Sequence, residues 1–134
     1  MGTKKDYRLA NSQYLRDLSM QQGVVRLPEG VFYEVMNAGN ELGGLPTANS
    51  VVTVHYKGSL INGHVFDSSY ERTCPEAFRV RDVIEGWQIA LQQMRKGDKW
   101  KITIPNQLGY GTKSVDDIPG NSTLIFEVEL IDFQ

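Results

Sequence analysis

Few residues in this chain have the types and spacing that reactive chemistry requires. A nucleophile needs a neighbouring base. His55 lies in an alternating apolar–polar stretch and His64 follows an Asn-Gly pair, and nothing in the sequence sets either against Cys74 or a serine. Both histidines read as ordinary strand and turn residues, and Cys74 as a small hydrophobe rather than a reactive thiol. The glycines flanking Tyr110 lack the Lys-Ser/Thr ending of a phosphate loop. His, Asp and Glu show no metal-ligand spacing, so neither a metal nor a cofactor is expected. What remains is a set of aromatics at the ends of elements: Tyr56, Phe66, Phe78, Trp87, Tyr110 and Phe126. Core packing accounts for six such rings as readily as the lining of an apolar pocket does. Their placement has to decide.

The elements that hold them are legible in the letters. Trp87, Ala90, Leu91 and Met94 fall at i, i+3, i+4 and i+7, which predicts one amphipathic helix starting near Val83. Gly97, just past Arg95 and Lys96, marks its expected C-terminus. Trp100, Ile102 and Ile104 then alternate with Lys99, Lys101 and Thr103, a strand that Pro105 ends. An indole in the first turn of such a helix can be core or can floor a pocket. Residues 5–22 predict a second helix with the stripe Tyr7, Ala10, Tyr14 and Leu18, Leu15 beside it, and Gly23 as its stop. Leu27 to Gly30 reads as a turn, Val31 to Met36 as a strand, and Asn37 to Ser50 as a polar, glycine-rich loop. Val51 to Lys57 is the next strand, and Asn62-Gly63 predicts a type I′ hairpin leading into Val65-Phe66-Asp67. Phe78 and Val80 suggest a short strand, and Thr123 to Phe133 closes the chain with Leu124, Phe126, Val128 and Leu130 on one face. Several antiparallel strands around one core helix make an α+β fold. The expected division is a helical extension, 1–23, and a domain, 24–134.

Length and composition narrow the remaining classes. A chain of 134 residues, 40% hydrophobic and 22% charged, reads as one globular domain. Its net charge of −2 gives no electrostatic case for nucleic acid or an anionic membrane. One cysteine excludes a disulfide within the chain and a thiolate zinc cluster. No stretch approaches the roughly 20 apolar residues of a membrane span. The opening MGTKKDYRLANS has no apolar core, so no signal peptide is expected and the cytoplasm is favoured. Gly2 as a myristoylation acceptor is opposed by Asp6, which stands where Ser or Thr is wanted.

Five strings, VTVHYKG (52–58), VFDSSY (65–70), VIEGW (83–87), LGYG (108–111) and TLIFEVELID (123–132), resemble the FKBP-type peptidyl-prolyl cis/trans isomerases in order and spacing. The likeness spans roughly residues 24–133, and the leader LPEGVFYEV is most like bacterial members related to the macrophage infectivity potentiator proteins. The resemblance implies a twisted antiparallel sheet wrapped around one short helix. It also implies a pocket floored by Trp87, with walls from Tyr56, Phe66, Phe78, Val83, Ile84, Ile118 and Phe126, and polar points at Tyr110 and Asp67. Proline-containing polypeptides would be the substrates, and rapamycin-type macrolides would inhibit by filling the pocket.

That activity explains why no reactive side chain is needed. Rotation about an Xaa-Pro bond removes amide resonance and crosses a barrier of about 18–20 kcal/mol, so uncatalysed exchange takes tens to hundreds of seconds. The twisted amide is less charge-separated than the planar one, and an apolar, water-poor pocket favours it over the ground state. By the resemblance, the proline ring would stack on Trp87 while the Ile84 N–H and the Tyr110 hydroxyl held flanking carbonyls. Asp67 would orient the amide carbonyl or pair with Arg72.

The chain departs from the family pattern at two places. The loop Thr112 to Asp117 lacks glycines that many relatives carry, and it brings Asp116 and Asp117 near the presumed rim. There they would favour basic residues beside the proline, or else simply face solvent. Glu76 stands where some single-domain relatives have an aromatic. No long insertion separates Phe66 from Tyr110, so the chaperone flap of some relatives is not expected. Two rival readings remain: a module that grips proline-containing segments without useful turnover, and a chaperone borne on a dimer formed by the N-terminal helix. The stripe on residues 5–22 needs a cover, since so short a helix is marginal alone. Either the chain's own sheet or a weak dimer would supply it.

Overall fold

The computed structural model describes residues 3–134, so Gly2 lies outside the described residues. Helix α1, Lys4–Ser19, opens with a capping box. The Asp6 N–H donates to Thr3 Oγ1 at 3.1 Å, and the Thr3 N–H donates to Asp6 Oδ2 at 3.1 Å. The helix stops three residues short of its expected end, and Met20 caps it in solvent. Its docked face also differs from the expected one. Ala10 is exposed, whereas Asn11 is buried with Leu18. An apolar stripe cannot reveal a polar residue that docks through hydrogen bonds, and Asn11 does so.

The sheet is antiparallel throughout, built from β1 (Val25–Arg26), β2 (Phe32–Asn37), β3 (Val51–Ser59), β4 (Val65–Ser68), β5 (Glu76–Arg79), β6 (Lys99–Ile104) and β7 (Leu124–Phe133). Its order is β1-β2-β6-β7-β3-β4. β4 and β5 share one edge of β3: β5 pairs with Val51 to Val54 and β4 with Lys57 to Ser59. Between them Ser69 binds the Tyr56 backbone, its N–H donating to the Tyr56 carbonyl at 2.9 Å and its Oγ accepting from the Tyr56 N–H at 2.7 Å. That split opens the sheet edge at the ring of Tyr56. The two-residue strand β1 has no signal in the sequence, because it is too short to show a period.

Helix α2, Glu85–Leu91, crosses the inner face. Trp87, Ala90 and Leu91 pack there with Val52, Val54, Ile102, Ile104, Val128 and Leu130. The helix ends well before Gly97. Tight turns, with the Gln93 N–H on the Ala90 carbonyl and the Met94 N–H on the Leu91 carbonyl, continue the chain and keep Met94 fully buried. Gly97 instead lies in the turn before β6, its N–H on the Leu130 carbonyl. The Asn62-Gly63 hairpin forms with a different turn from the one predicted. Positive φ falls on Gly63 alone, and the Leu60 carbonyl accepts from the Gly63 N–H, which is a type I turn closed by a bulge at Gly63.

On the outer face, Phe32, Thr103 and Ile125 are register neighbours and all are buried. α1 is tied to this end of the sheet. Asn11 Oδ1 accepts the Thr123 N–H at 2.7 Å, just before β7, and Tyr7 meets Ser122. Thr103, expected on a wet face, is buried at the end of the sheet where the helix docks. Among the described residues no helix is long and apolar enough to cross a membrane.

Candidate active site

A pocket of about 330 Å³ opens at the N-terminal end of α2, lined by Tyr56, Phe66, Asp67, Phe78, Asp82, Val83, Ile84, Trp87, Tyr110 and Phe126. Its shape follows from ring geometry. Tyr56, Phe78 and Phe126 stand at 86°, 87° and 90° to the indole of Trp87, with centroids 5.1, 5.7 and 5.2 Å away. Three rings upright around a fourth make a floor with walls, and such edge-to-face contacts also stabilise one another. Phe66 extends the wall, perpendicular to Phe126 at 5.6 Å. The indole N–H of Trp87 (Nε1) is buried and has no hydrogen-bond partner among the described residues.

The elements place these rings simply. β3 sends Val52, Val54, Tyr56 and Gly58 inward, and Phe126 lies directly opposite Gly58 on β7. A Cβ on Gly58 would lie 2.7 Å from both Phe126 Cε1 and Phe66 Cζ. Only a missing side chain lets the two phenyl rings close over that point. β5 contributes Phe78, and a single 3-10 turn, Val80–Asp82, carries the chain to Val83, Ile84 and the first turn of α2. The Ile84 carbonyl accepts from Trp87 and Gln88, while its own N–H has no partner among the described residues.

One side of the pocket is polar and internally satisfied. Asp67 Oδ2 accepts from the Tyr56 hydroxyl at 2.5 Å and Oδ1 from Arg72 Nη1 at 2.6 Å. Arg72 also reaches the Tyr56 hydroxyl at 3.1 Å and Glu76 Oε1 at 3.1 Å. Burial raises the Asp67 pKa, but the hydrogen bonds from Tyr56 and Arg72 and the guanidinium charge outweigh it and hold the carboxyl below its usual range. Burial first, then the Asp67 carboxylate, push the Tyr56 phenol up to about 12. Burial, with the charges of Asp67 and Asp116, also raises Tyr110.

Nine of the ten residues that the sequence suggested for a site line this pocket; Ile118 does not. It is buried in the core, where the Val115–Ile118 bridge folds the loop back on itself at Asp116-Asp117. Neither aspartate lines the pocket either. Asp117 Oδ2 lies 2.6 Å from His64 Nε2, and that hydrogen bond lowers the Asp117 pKa despite some desolvation. Asp82 is a second acidic residue on the lining, besides Asp67. Sequence reasoning passed over Asp82 because it sits in a three-residue turn with no period. It passed over Gly58 as well, since the missing side chain matters only through what lies opposite. Glu76 belongs to the Arg72 network. His55 lies outside the pocket, with Nδ1 2.7 Å from Ser69 Oγ and its ring stacked on Tyr70, and Cys74 is exposed.

Comparison with known proteins identifies the family. Residues 43–131 match the family described as FKBP-type peptidyl-prolyl cis-trans isomerase. The chain is 42% identical over 132 residues to the FKBP-type peptidyl-prolyl cis-trans isomerase FkpA of Buchnera aphidicola, a match covering 98% of this chain and 52% of that protein. It is 49% identical over 110 residues to the peptidyl-prolyl cis-trans isomerase Mip of Coxiella burnetii, covering 81% of this chain and 47% of that one. The crystal structure of FkpA from Escherichia coli superposes with a TM-score of 0.91 at 41% identity, covering 97% of this chain and 60% of that one. The chain therefore spans about half the length of the curated relatives it matches. With the family match lying over the strands and helix that build the pocket, the chain belongs to the FKBP-type peptidyl-prolyl cis-trans isomerase family.

Proposed function

We propose that this chain is a peptidyl-prolyl cis/trans isomerase that accelerates rotation about Xaa-Pro bonds in polypeptides. The observation that carries the reading is the indole floor of Trp87 with three rings upright around it. A flat floor and apolar walls fit a proline ring and exclude water from the amide, which favours the twisted state over the planar one. An unsatisfied buried N–H costs about 1–3 kcal/mol, so the indole is kept for its face rather than its donor. The Ile84 N–H and the Tyr110 hydroxyl supply hydrogen bonds to carbonyls flanking the proline. Phe66, Phe78, Phe126 and Val83 supply the walls.

Asp67 acts here through structure. Its oxygens accept from Tyr56 and Arg72, and an ionised carboxylate has no proton to give an amide carbonyl, so it fixes the Tyr56 ring instead of holding the amide oxygen. Residues 24–134 form the isomerase domain, and residues 1–23 an extension whose helix α1 is tied to it through Tyr7 and Asn11. The same pocket would take a rapamycin-type macrolide. Exchange spectroscopy on a leucine-proline peptide, with catalytic amounts of protein, tests the proposal. Accelerated cis/trans exchange that a macrolide suppresses is expected. Binding of the peptide without acceleration would instead identify a proline-gripping module.

A further inference from the structure

We infer that Tyr7 and Asn11 of the N-terminal helix are positioning residues for Tyr110, acting through the segment Pro119 to Thr123. The inference rests on the isomerase reading of the pocket, because it assigns Tyr110 a role there. Tyr7 lies in the first turns of α1, and its hydroxyl is 2.6 Å from Ser122 Oγ. Ser122 Oγ in turn donates to the Pro119 carbonyl at 2.6 Å. A serine hydroxyl has one proton, so with that proton on Pro119 the Tyr7 hydroxyl must be the donor to Ser122. The direction of this bond is thereby fixed: the Tyr7 hydroxyl donates into the loop.

A second tie lies one turn further along. Asn11 Nδ2 donates to the Tyr7 carbonyl at 2.8 Å, its Oδ1 accepts the Thr123 N–H, and the Thr123 hydroxyl reaches the Asn11 carbonyl at 3.4 Å. Asn11, Ser122 and Thr123 are all buried. Each bond is therefore costly to leave unmade.

The strapped segment holds the pocket's edge. The Asn121 N–H donates to the Gly111 carbonyl at 2.9 Å, and the Gly111 N–H to the Asn106 carbonyl at 2.8 Å. Asn106 Nδ2 reaches Asn121 Oδ1 at 3.5 Å. Tyr110 lies between these anchors, half-exposed, with its ring on the pocket lining. A cleft of about 300 Å³ lined by Lys4, Tyr7, Thr112, Ser114 and Pro119 opens between the start of α1 and this loop. Hydrogen bonds join the two beside this cleft. The helix that looks like an appendage in sequence thus sets where the Tyr110 hydroxyl can stand.

Tyr7→Phe and Ser122→Ala, each in the full chain, test this with minimal change of shape. Each variant should raise the KM for a leucine-proline peptide about two- to fivefold with kcat nearly unchanged, because a bound-state contact loosens and the apolar floor does not. The double variant should be no worse than Ser122→Ala alone, since Tyr7 acts through Ser122. Amide exchange at Gly111 and Asn121 should quicken while exchange in β6 and β7 stays as in the parent. Unchanged KM and unchanged loop exchange in both single variants would overturn the inference. So would exchange that quickens equally in β6 and β7, which marks general destabilisation. Absence of turnover in the unaltered chain would count against the isomerase reading, and loop exchange would still decide the role of Tyr7.

Discussion

Gly58→Ala should damage turnover far more than stability. Gly58 continues the inward row Val52, Val54 and Tyr56, and an added methyl would start 2.7 Å from carbons of both Phe66 and Phe126. Carbon atoms sit comfortably at about 3.5–4.0 Å, so each ring edge must retreat by roughly 1 Å. Gly58 has no positive φ, so alanine fits the backbone and gains about 0.4–1 kcal/mol by restricting the unfolded chain. Overpacking costs about 1–3 kcal/mol, so after the gain of about 0.4–1 kcal/mol the net destabilisation is about 0–2.6 kcal/mol. The rings have one open direction, the pocket itself. Displacing a binding surface by about 1 Å can cost a hundredfold in rate, so kcat/KM should fall about ten- to hundredfold. Exchange spectroscopy on a leucine-proline peptide gives the rate, and urea unfolding of the same preparations gives the stability. A kcat/KM within twofold of the parent would refute Phe66 and Phe126 as the walls that close on substrate.

Three further outcomes are expected. Tyr110→Phe should weaken macrolide or peptide binding by about 0.5–1.5 kcal/mol, one neutral hydrogen bond, with no change in urea midpoint; undiminished affinity by titration calorimetry would remove Tyr110 from the contact. The lowered Asp67 pKa and the Tyr56 value of about 12 set opposite ends of the stability profile. Stability from Asp67 is present above the unfolded carboxyl value of about 3.9 and is lost as pH falls through the lower folded value; that from Tyr56 is present below about pH 10 and is lost as pH rises toward 12. Urea midpoints should accordingly decline below about pH 4 more steeply in the parent than in Asp67→Asn, and parallel curves would contradict the linkage. Asp82→Asn should reduce any preference for lysine over glutamate beside the proline by at most about fivefold, since exposed pairs are worth about 0–1 kcal/mol. The preference should shrink with salt; equal ratios in both proteins at low salt would exclude Asp82 as its source.

How much of this was legible beforehand varies with the range of the interaction. The rings of Tyr56, Phe66, Phe78, Trp87, Tyr110 and Phe126 stood out because local period puts each at a definite place on a strand or helix. The motif strings then supplied their common pocket. Ile118 stands off the pocket lining, and its placement depends on the bridge to Val115, a loop contact with no periodic signature. The tie of Asp117 to His64 has no signal in the sequence, because the partner is 53 residues away.

The sequence by itself determined the α+β class, the inward faces of β3, β6 and β7, and the docking of Trp87 at the start of α2, since each rests on side-chain alternation within one element. Tertiary structure alone decided what meets across elements. It paired both oxygens of Asp67 with Tyr56 and Arg72, set Gly58 beneath two phenyl rings, and turned Asn11 toward Thr123. It also ended α2 at Leu91, where tight turns still bury Met94. Periodicity reports which side of an element is dry. Hydrogen-bond partners and close approaches depend on distances between segments far apart in the chain, which are fixed only when the sheet closes around its helix.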